Sequence, residues 1–279
     1  MTEQTKVFHS EYNLVPLAGS TDDVIPEIDP VHLHDSVRTI RDAHFKVDSV
    51  HDPDFCFFRN LPESTIFCDI GANIGNTINT LTHLGSRAAV HAFEINLVLY
   101  GSIQEAMDIY PGLSKLYRFG LAEVEGSFWL YIPYCNSTFI LGEASIRLEH
   151  LLSDGSLARL RSYTVDGDVA VGKVLVQVRP FDGLGICPDY VKIDVEGAEA
   201  RVLTSMLSSI RVSLPIILVE NSFQDEVDVM LGEIGYSPWA FDGTSQKLFR
   251  RPTYGHQNTF YVFEERIPAL EMDGCLHVG

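Results

Sequence analysis

Two short stretches of the chain hold residue types that can do chemistry. "CDIGANIG" (68–75) sets Asp69 before a loop carrying Gly71, Asn73 and Gly75. "VKIDVEGAEARVL" (191–203) sets Asp194, Glu196 and Glu199 around Gly197. Glu94 ends "AAVHAFE", and Glu220 ends "LPIILVE". The first stretch has the form of a strand-turn-helix unit, whose first helical amides point beyond the strand's carboxyl end. Glycines at 71 and 75 let a ligand approach the backbone there. Asn73 fills the middle position and takes a left-handed conformation more readily than most residues.

The loop departs from the G-x-G-x-x-G of a dinucleotide site, because the middle glycine is missing and the last is displaced. Asp69 suits an ammonium better than a pyrophosphate. Glu94 stands at the end of the next strand, where an acidic residue commonly receives two ribose hydroxyls. Ribose plus ammonium, without phosphates, describes S-adenosylmethionine (SAM), whose positive sulfonium acidic surroundings tolerate. Taken singly, each residue has an ordinary account: a tight turn at the glycines, a helix cap at Asp69, a solvated strand end at Glu94. Their joint occurrence at one sheet edge favours a site. In the second stretch Glu196 and Glu199 can complement a helix dipole, whereas Asp194 lies on a strand built for burial. Asp194, Glu196 and Glu220 are the candidate general bases for removing a hydroxyl proton. Two of them also have the hard oxygens that suit magnesium or calcium, although no metal ligand set is indicated.

These groups need strand ends to position them. Strand and helix patterns alternate from Ser64 onward, the signal of βαβ units and a mostly parallel sheet. Strands are expected at 65–70, 88–94, 116–122, 189–195, 214–220 and 258–264, the last with no helix after it. Helices are expected at 76–84, ended by Gly85, and at 98–110, 198–210 and 224–234. The stretch 123–173 breaks the rhythm, with a hairpin strand at 125–133, a helical pattern over 144–162 interrupted at Asp154-Gly155, and a short strand at 173–178. It is expected as an insertion beside the sheet. Residues 1 to about 30 are polar and Pro-bearing, an arm or loosely packed extension. Asp35 is placed to cap a helix over 36–44. His32 and His34 read as surface residues, Arg159 and Arg161 as a solvated helix face, and His256 as part of a loop.

Lys and Arg number 20 and Asp and Glu 38, a net charge of 20 − 38 = −18. That balance repels phosphate backbones and argues against nucleic acid as a partner. Five cysteines occur without a CxxC pair, which argues against a disulfide framework or structural zinc and fits a reducing cytoplasm. The start lacks an apolar signal core, and no apolar run reaches the ~20 residues of a membrane helix.

"FCDIGANIG", "AVHAFEIN", "FGLAE", "VKIDVEGAEARVL", "IILVEN" and "NTFYVFE" follow one another over roughly 64–264. In this order they resemble the FkbM-type SAM-dependent methyltransferases, with "KIDVEGAE" the specific element. The resemblance implies an α/β fold: a Rossmann-like seven-stranded methyltransferase sheet, mostly parallel with the last strand antiparallel and helices on both faces. It implies an N-terminal arm or cap (1–60) and a methyltransferase domain (61–279), with an insertion at about 141–172. It also implies O-methylation of a small-molecule or sugar hydroxyl. By position, Asp69, Gly71, Asn73 and Gly75 would hold the methionine end of SAM and Glu94 the ribose. Ile95, Leu121 and Ala122 would lie near the adenine. The chain has "FEIN" where the family often has "FEPN". The rival readings are an NAD-dependent oxidoreductase and a non-catalytic SAM-binding or assembly protein.

Overall fold

The computed structural model describes residues 12–45, 48–164, 167–221, 224–251 and 257–277. In chain order the strands and helices begin with β1 (Val15–Pro16), α1 (His34–His44), β2 (Ile66–Ile70), α2 (Asn76–His83), β3 (Ala89–Phe93) and α3 (Tyr100–Ile109). Next come β4 (Ser114–Tyr117), β5 (Gly120–Leu121), β6 (Gly126–Cys135), β7 (Thr138–Phe139), α4 (Leu148–Leu151), α5 (Asp154–Ser162) and β8 (Ala170–Arg179). Then follow β9 (Tyr190–Ile193), α6 (Glu199–Ser205), α7 (Leu207–Ser213), β10 (Ile216–Glu220) and α8 (Gln224–Gly232). The chain finishes with β11 (Tyr236–Asp242), β12 (Lys247–Arg250), β13 (Asn258–Phe263), α9 (Ile267–Met272) and β14 (Leu276–His277).

The fold is α/β with a mixed sheet. Nine strands run in the order β14-β12-β11-β13-β10-β9-β2-β3-β4. From β10 to β4 every pairing is parallel, while β13 is antiparallel to both β10 and β11. The central strands are apolar on both faces, as a covered parallel sheet requires. In β10, Ile216 and Leu218 enter the cluster with Phe58, Phe67 and Trp239. Its Ile217 and Val219 enter the opposite cluster with Val191, Ile193 and Leu203. All four are at most 1 % exposed.

Among the described residues, three strands join the six expected in this sheet: β11, β12 and β14. The hairpin strands β11 and β12 were hidden in a stretch broken by Pro238, a residue that argues against a strand interior. The last expected strand is followed by α9 and β14, not by an open end. The expected third strand, 116–122, divides between two sheets: β4 pairs with β3, and β5 pairs with β8. Gly120 makes the crossing feasible, since a Cβ there would lie 2.6 Å from the Ile95 side chain.

The second sheet has five strands, ordered β1-β8-β6-β7 with β5 also on β8. Residues from Tyr12 onward are not loosely packed, because Leu14, Leu17 and Leu33 are fully buried and β1 pairs with β8. Apolar residues spaced among polar ones look like a tail until a partner surface covers them. Asp35 does not cap its helix. α1 starts at His34 after Leu33, and Asp29 caps the preceding turn by accepting from the Val31 amide. The expected break at Asp154-Gly155 falls earlier, where Ser153 caps α5 by accepting from the Ser156 amide. His256 lies outside the described residues.

Candidate functional site

The loop after β2 is shaped by its close neighbours. Gly71 has φ 80°, and a Cβ there would stand 1.8 Å from the Asp194 carbonyl oxygen. Gly75, at φ 91°, precedes α2, and its Cβ would meet the Ala106 side chain of α3 at 2.8 Å. These glycines therefore admit protein, and the ligand approach expected at Gly75 is taken by a helix. Asn73 has φ 51°, the left-handed conformation anticipated for it. Its amide donates to Glu94 Oε2 at 2.8 Å, and the Asn96 amide donates to Glu94 Oε1 at 2.7 Å. Glu94 is 6 % exposed. Burial pushes its carboxyl up to about 7, with the Asn96 and Asn73 amides pulling the other way. Each carboxylate oxygen has a second lone pair.

Lys192 organises the next layer. On the parallel pair β2–β9 it stands in register with Asp69. Its Nζ lies 3.3 Å from Asp69 and 3.3 Å from Asp194, and donates to the Gly71 carbonyl at 2.7 Å. Burial disfavours its charge, but Asp194 and Asp69 more than restore it and hold its pKa above the ordinary lysine range. Asp69 is fully buried, and burial raises its carboxyl despite Lys192.

Beyond β9 the chain turns sharply, with Glu196 at φ 50° and Gly197 at φ 93°. A Cβ on Gly197 would press on the His150 ring at 2.6 Å. The turn is tied to the stretch between β7 and β8: Ser145 Oγ donates to the Glu196 carbonyl at 2.6 Å, and Arg147 donates to that of Gly197 at 3.0 Å. The Glu196 carboxylate receives Arg159 Nη2 at 2.9 Å and lies 3.4 Å from His150 Nε2. Asp194, Glu196 and Glu220 offer oxygens within 4.8 Å of one another. Burial works against charge on Asp194, yet Lys192 foremost holds its carboxyl below the usual range. Glu220 behaves oppositely: the neighbouring Asp194 charge, then burial, raise it well above that range.

These groups line two adjoining clefts. The first, about 830 Å³, is lined by Gly71, Asn73, Glu94, Ile95, Leu121, Asp194, Glu196 and Glu220. The second, about 1630 Å³, shares Asn73, Glu196 and Glu220 and adds α1, His51, Glu143, Arg159 and Tyr163. So the structure brings five of the expected cofactor residues and all three candidate bases together. Asp69, Gly75 and Ala122 do not line either cleft: Asp69 is turned to Lys192, Gly75 to α3, and Ala122 is fully buried. Arg159 does more than cover a solvated face, since it pairs with Glu143 and Glu196. Lys192, Glu143, His150 and Arg159 were not expected at this site. The signal for Lys192 was a cation inside an otherwise apolar strand; the other three show none before folding.

Residues 69–240 match the methyltransferase FkbM domain, well over half of the chain. The chain belongs to the FkbM methyltransferase family. The family match spans the glycine loop, Glu94 and the acidic turn, while α1 and His51 lie before it. Among solved structures, the chain is similar to a methyltransferase FkbM from Methylobacillus flagellatus KT, at 14 % identity and TM-score 0.47, covering 82 % of this chain and 53 % of that one. This FkbM chain thus spans about half the length of that relative. It is also similar to an O-methyltransferase from Bacillus cereus in complex with SAH (11 % identity, TM-score 0.40, covering 87 % of this chain and 94 % of that one). A third likeness is to a precorrin-6y C5,15-methyltransferase from Geobacter metallireducens GS-15 (12 % identity, TM-score 0.38, covering 91 % and 97 %). No curated protein matches the sequence. Among the described residues no helix is long and apolar enough to cross a membrane.

Proposed function

We propose that this FkbM-family chain moves the methyl group of SAM onto a hydroxyl of a small molecule or sugar. The observation that carries the reading is the first cleft: Glu94, fixed by two backbone amides, shares it with apolar Ile95 and Leu121 at one end and with the acidic turn at the other. That set fits SAM, with ribose hydroxyls on Glu94, a purine against Ile95 and Leu121, and the cationic end towards carboxylates. Under the same reading, β4-β3-β2-β9-β10-β13-β11 is the seven-stranded methyltransferase core, with β13 as its antiparallel strand, and β12 and β14 extend it.

Bound there, SAM supplies a methyl group already activated on a positive sulfur. The residues of the chain then align an acceptor oxygen with it, a task of proximity and orientation, and take the hydroxyl proton as the oxygen gains the methyl. Asp194 is kept ionised by Lys192, while Glu220 keeps its proton at neutral pH. Asp194 beside protonated Glu220 is therefore the favoured proton acceptor, and Glu196 shapes the acceptor wall. The test is single-turnover methyl transfer with hydroxylated acceptors at saturating SAM. Asp194→Asn should slow it roughly 10²-fold while SAM still binds; an unchanged rate would move the proton acceptor elsewhere.

A further inference from the structure

Asp194, Glu196 and Glu220 have a spacing that suits one divalent cation, since hard cations gather several carboxylate oxygens. Two of the three already hold a protein cation. Lys192 Nζ is 3.3 Å from Asp194. Arg159 Nη2 is 2.9 Å from Glu196 and 2.5 Å from Glu143, and His150 Nε2 approaches the same Glu196 oxygen at 3.4 Å. Glu143, Glu196 and His150 are largely buried, whereas Arg159 is 37 % exposed and reaches in from the cleft wall. The Tyr163 hydroxyl donates to the other oxygen of Glu143 at 3.0 Å.

We propose that Arg159 is a positioning residue that stands in for a metal ion: it binds Glu143 and Glu196 into one fixed pair on the wall of the larger cleft and keeps divalent cations out. A metal entering here has to displace a guanidinium from one charge-assisted hydrogen bond, to Glu196, and from an ion pair with Glu143; a charge-assisted bond is about twice as strong as a neutral one. It must also enter beside Lys192, a like charge. The methylene stem of Arg159 supplies the reach: α5 presents it across the cleft to a turn that belongs to the large sheet. Arg159 thereby ties the Glu196 side chain to α5, while Ser145 and Arg147 hold the backbone of the turn. The role of this wall in seating an acceptor rests on the methyl-transfer reading; the competition between Arg159 and a metal does not.

The experiment is titration of the full chain with Mn²⁺, followed by electron paramagnetic resonance and calorimetry, with S-adenosylhomocysteine (SAH) binding measured on the same samples. Wild type and Arg159→Lys should show only weak, non-stoichiometric Mn²⁺ association. Arg159→Met, which leaves Glu143 and Glu196 without their shared guanidinium, should bind Mn²⁺ at least tenfold more tightly, with SAH affinity within about twofold of wild type. Equal Mn²⁺ affinity in wild type and a folded Arg159→Met overturns the proposal. So does stoichiometric Mn²⁺ binding by wild type that is lost in Glu196→Gln, a result readable even if Arg159→Met does not fold. A wild type that binds no SAH instead sinks the cofactor reading and leaves the Mn²⁺ comparison standing.

Discussion

The wall carrying Gly71, Asn73 and Glu94 and the wall carrying Glu143, Arg159 and Glu196 are assembled differently. The first comes from one βαβ unit, β2-α2-β3, and its contacts are backbone to carboxylate: two amides on Glu94, and two further amides, Gly71 and Ala72, on the Phe93 carbonyl. The second is gathered from the turn after β9, the residues before α4, and α5, and its contacts are side-chain ion pairs. A backbone-built wall tolerates changes of charge but not of shape. A wall built from ion pairs tolerates neither the loss of one partner nor its neutralisation. Lys192 joins the two through the Gly71 carbonyl and Asp194.

Shape on the first wall gives the largest expected effect. Gly71→Ala forces a Cβ into the Asp194 carbonyl at a positive φ. The substitution should cost on the order of 4 kcal/mol, the exceptional class of point mutation, read as a loss in the midpoint of urea unfolding. A change below about 1 kcal/mol would mean that the two loops do not touch.

What the sequence disclosed follows the same division. The glycine loop, the left-handed Asn73, Glu94 and the acidic turn were legible because a strand-turn-helix unit fixes its own geometry within a few residues. Five central parallel strands were legible from apolar runs bounded by breakers, except that β4 was run together with β5. The split of 116–122 was not legible, because alternation along a strand does not say which sheet each half joins. Nor was the burial of Leu14 and Leu17, which waits on a surface made by β8. Arg159 looked like any arginine on a polar helix, since its carboxylate partners are brought to it only by the tertiary fold.

The link between the walls comes next. Lys192→Met leaves the fully buried Asp69 and the neighbouring Asp194 without their shared cation. Removing one partner of a buried ion pair costs about 3–5 kcal/mol, and a smaller loss is expected here because Asp194 is 39 % exposed. Urea unfolding at pH 7 should therefore show about 2–3 kcal/mol. Because the uncompensated carboxylates can then be neutralised by protonation, the mutant's deficit should shrink as pH falls. A deficit independent of pH would place the role of Lys192 in packing.

On the first wall, charge should matter chiefly to the ligand. Glu94→Ala removes the two oxygens proposed to accept the ribose hydroxyls and should weaken SAH binding by at least about tenfold, or 1.4 kcal/mol, with a smaller effect on folding. An unchanged affinity in the folded mutant would make Glu94 a strand end alone.

The smallest expected effect is on pH dependence. The Glu94 carboxyl sits at about 7 in the folded chain against an ordinary 4.5. Its proton is therefore held more tightly by the folded chain than by the unfolded one. The contribution to stability is full below pH 4.5 and is lost as pH rises through about 7. The ribose hydroxyls proposed to bind Glu94 would donate to its ionised form, so SAH affinity should strengthen from pH 6 to pH 7.5 and level off above. In Glu94→Gln that slope should vanish; a slope that persists belongs to another group.

The most direct measurement of the central claim is calorimetric titration of the full chain with SAH and, separately, with NAD. The cleft shared by Glu94 and the acidic turn predicts stoichiometric SAH binding that Glu94→Ala weakens, and no NAD binding. Binding of NAD with none of SAH would contradict it.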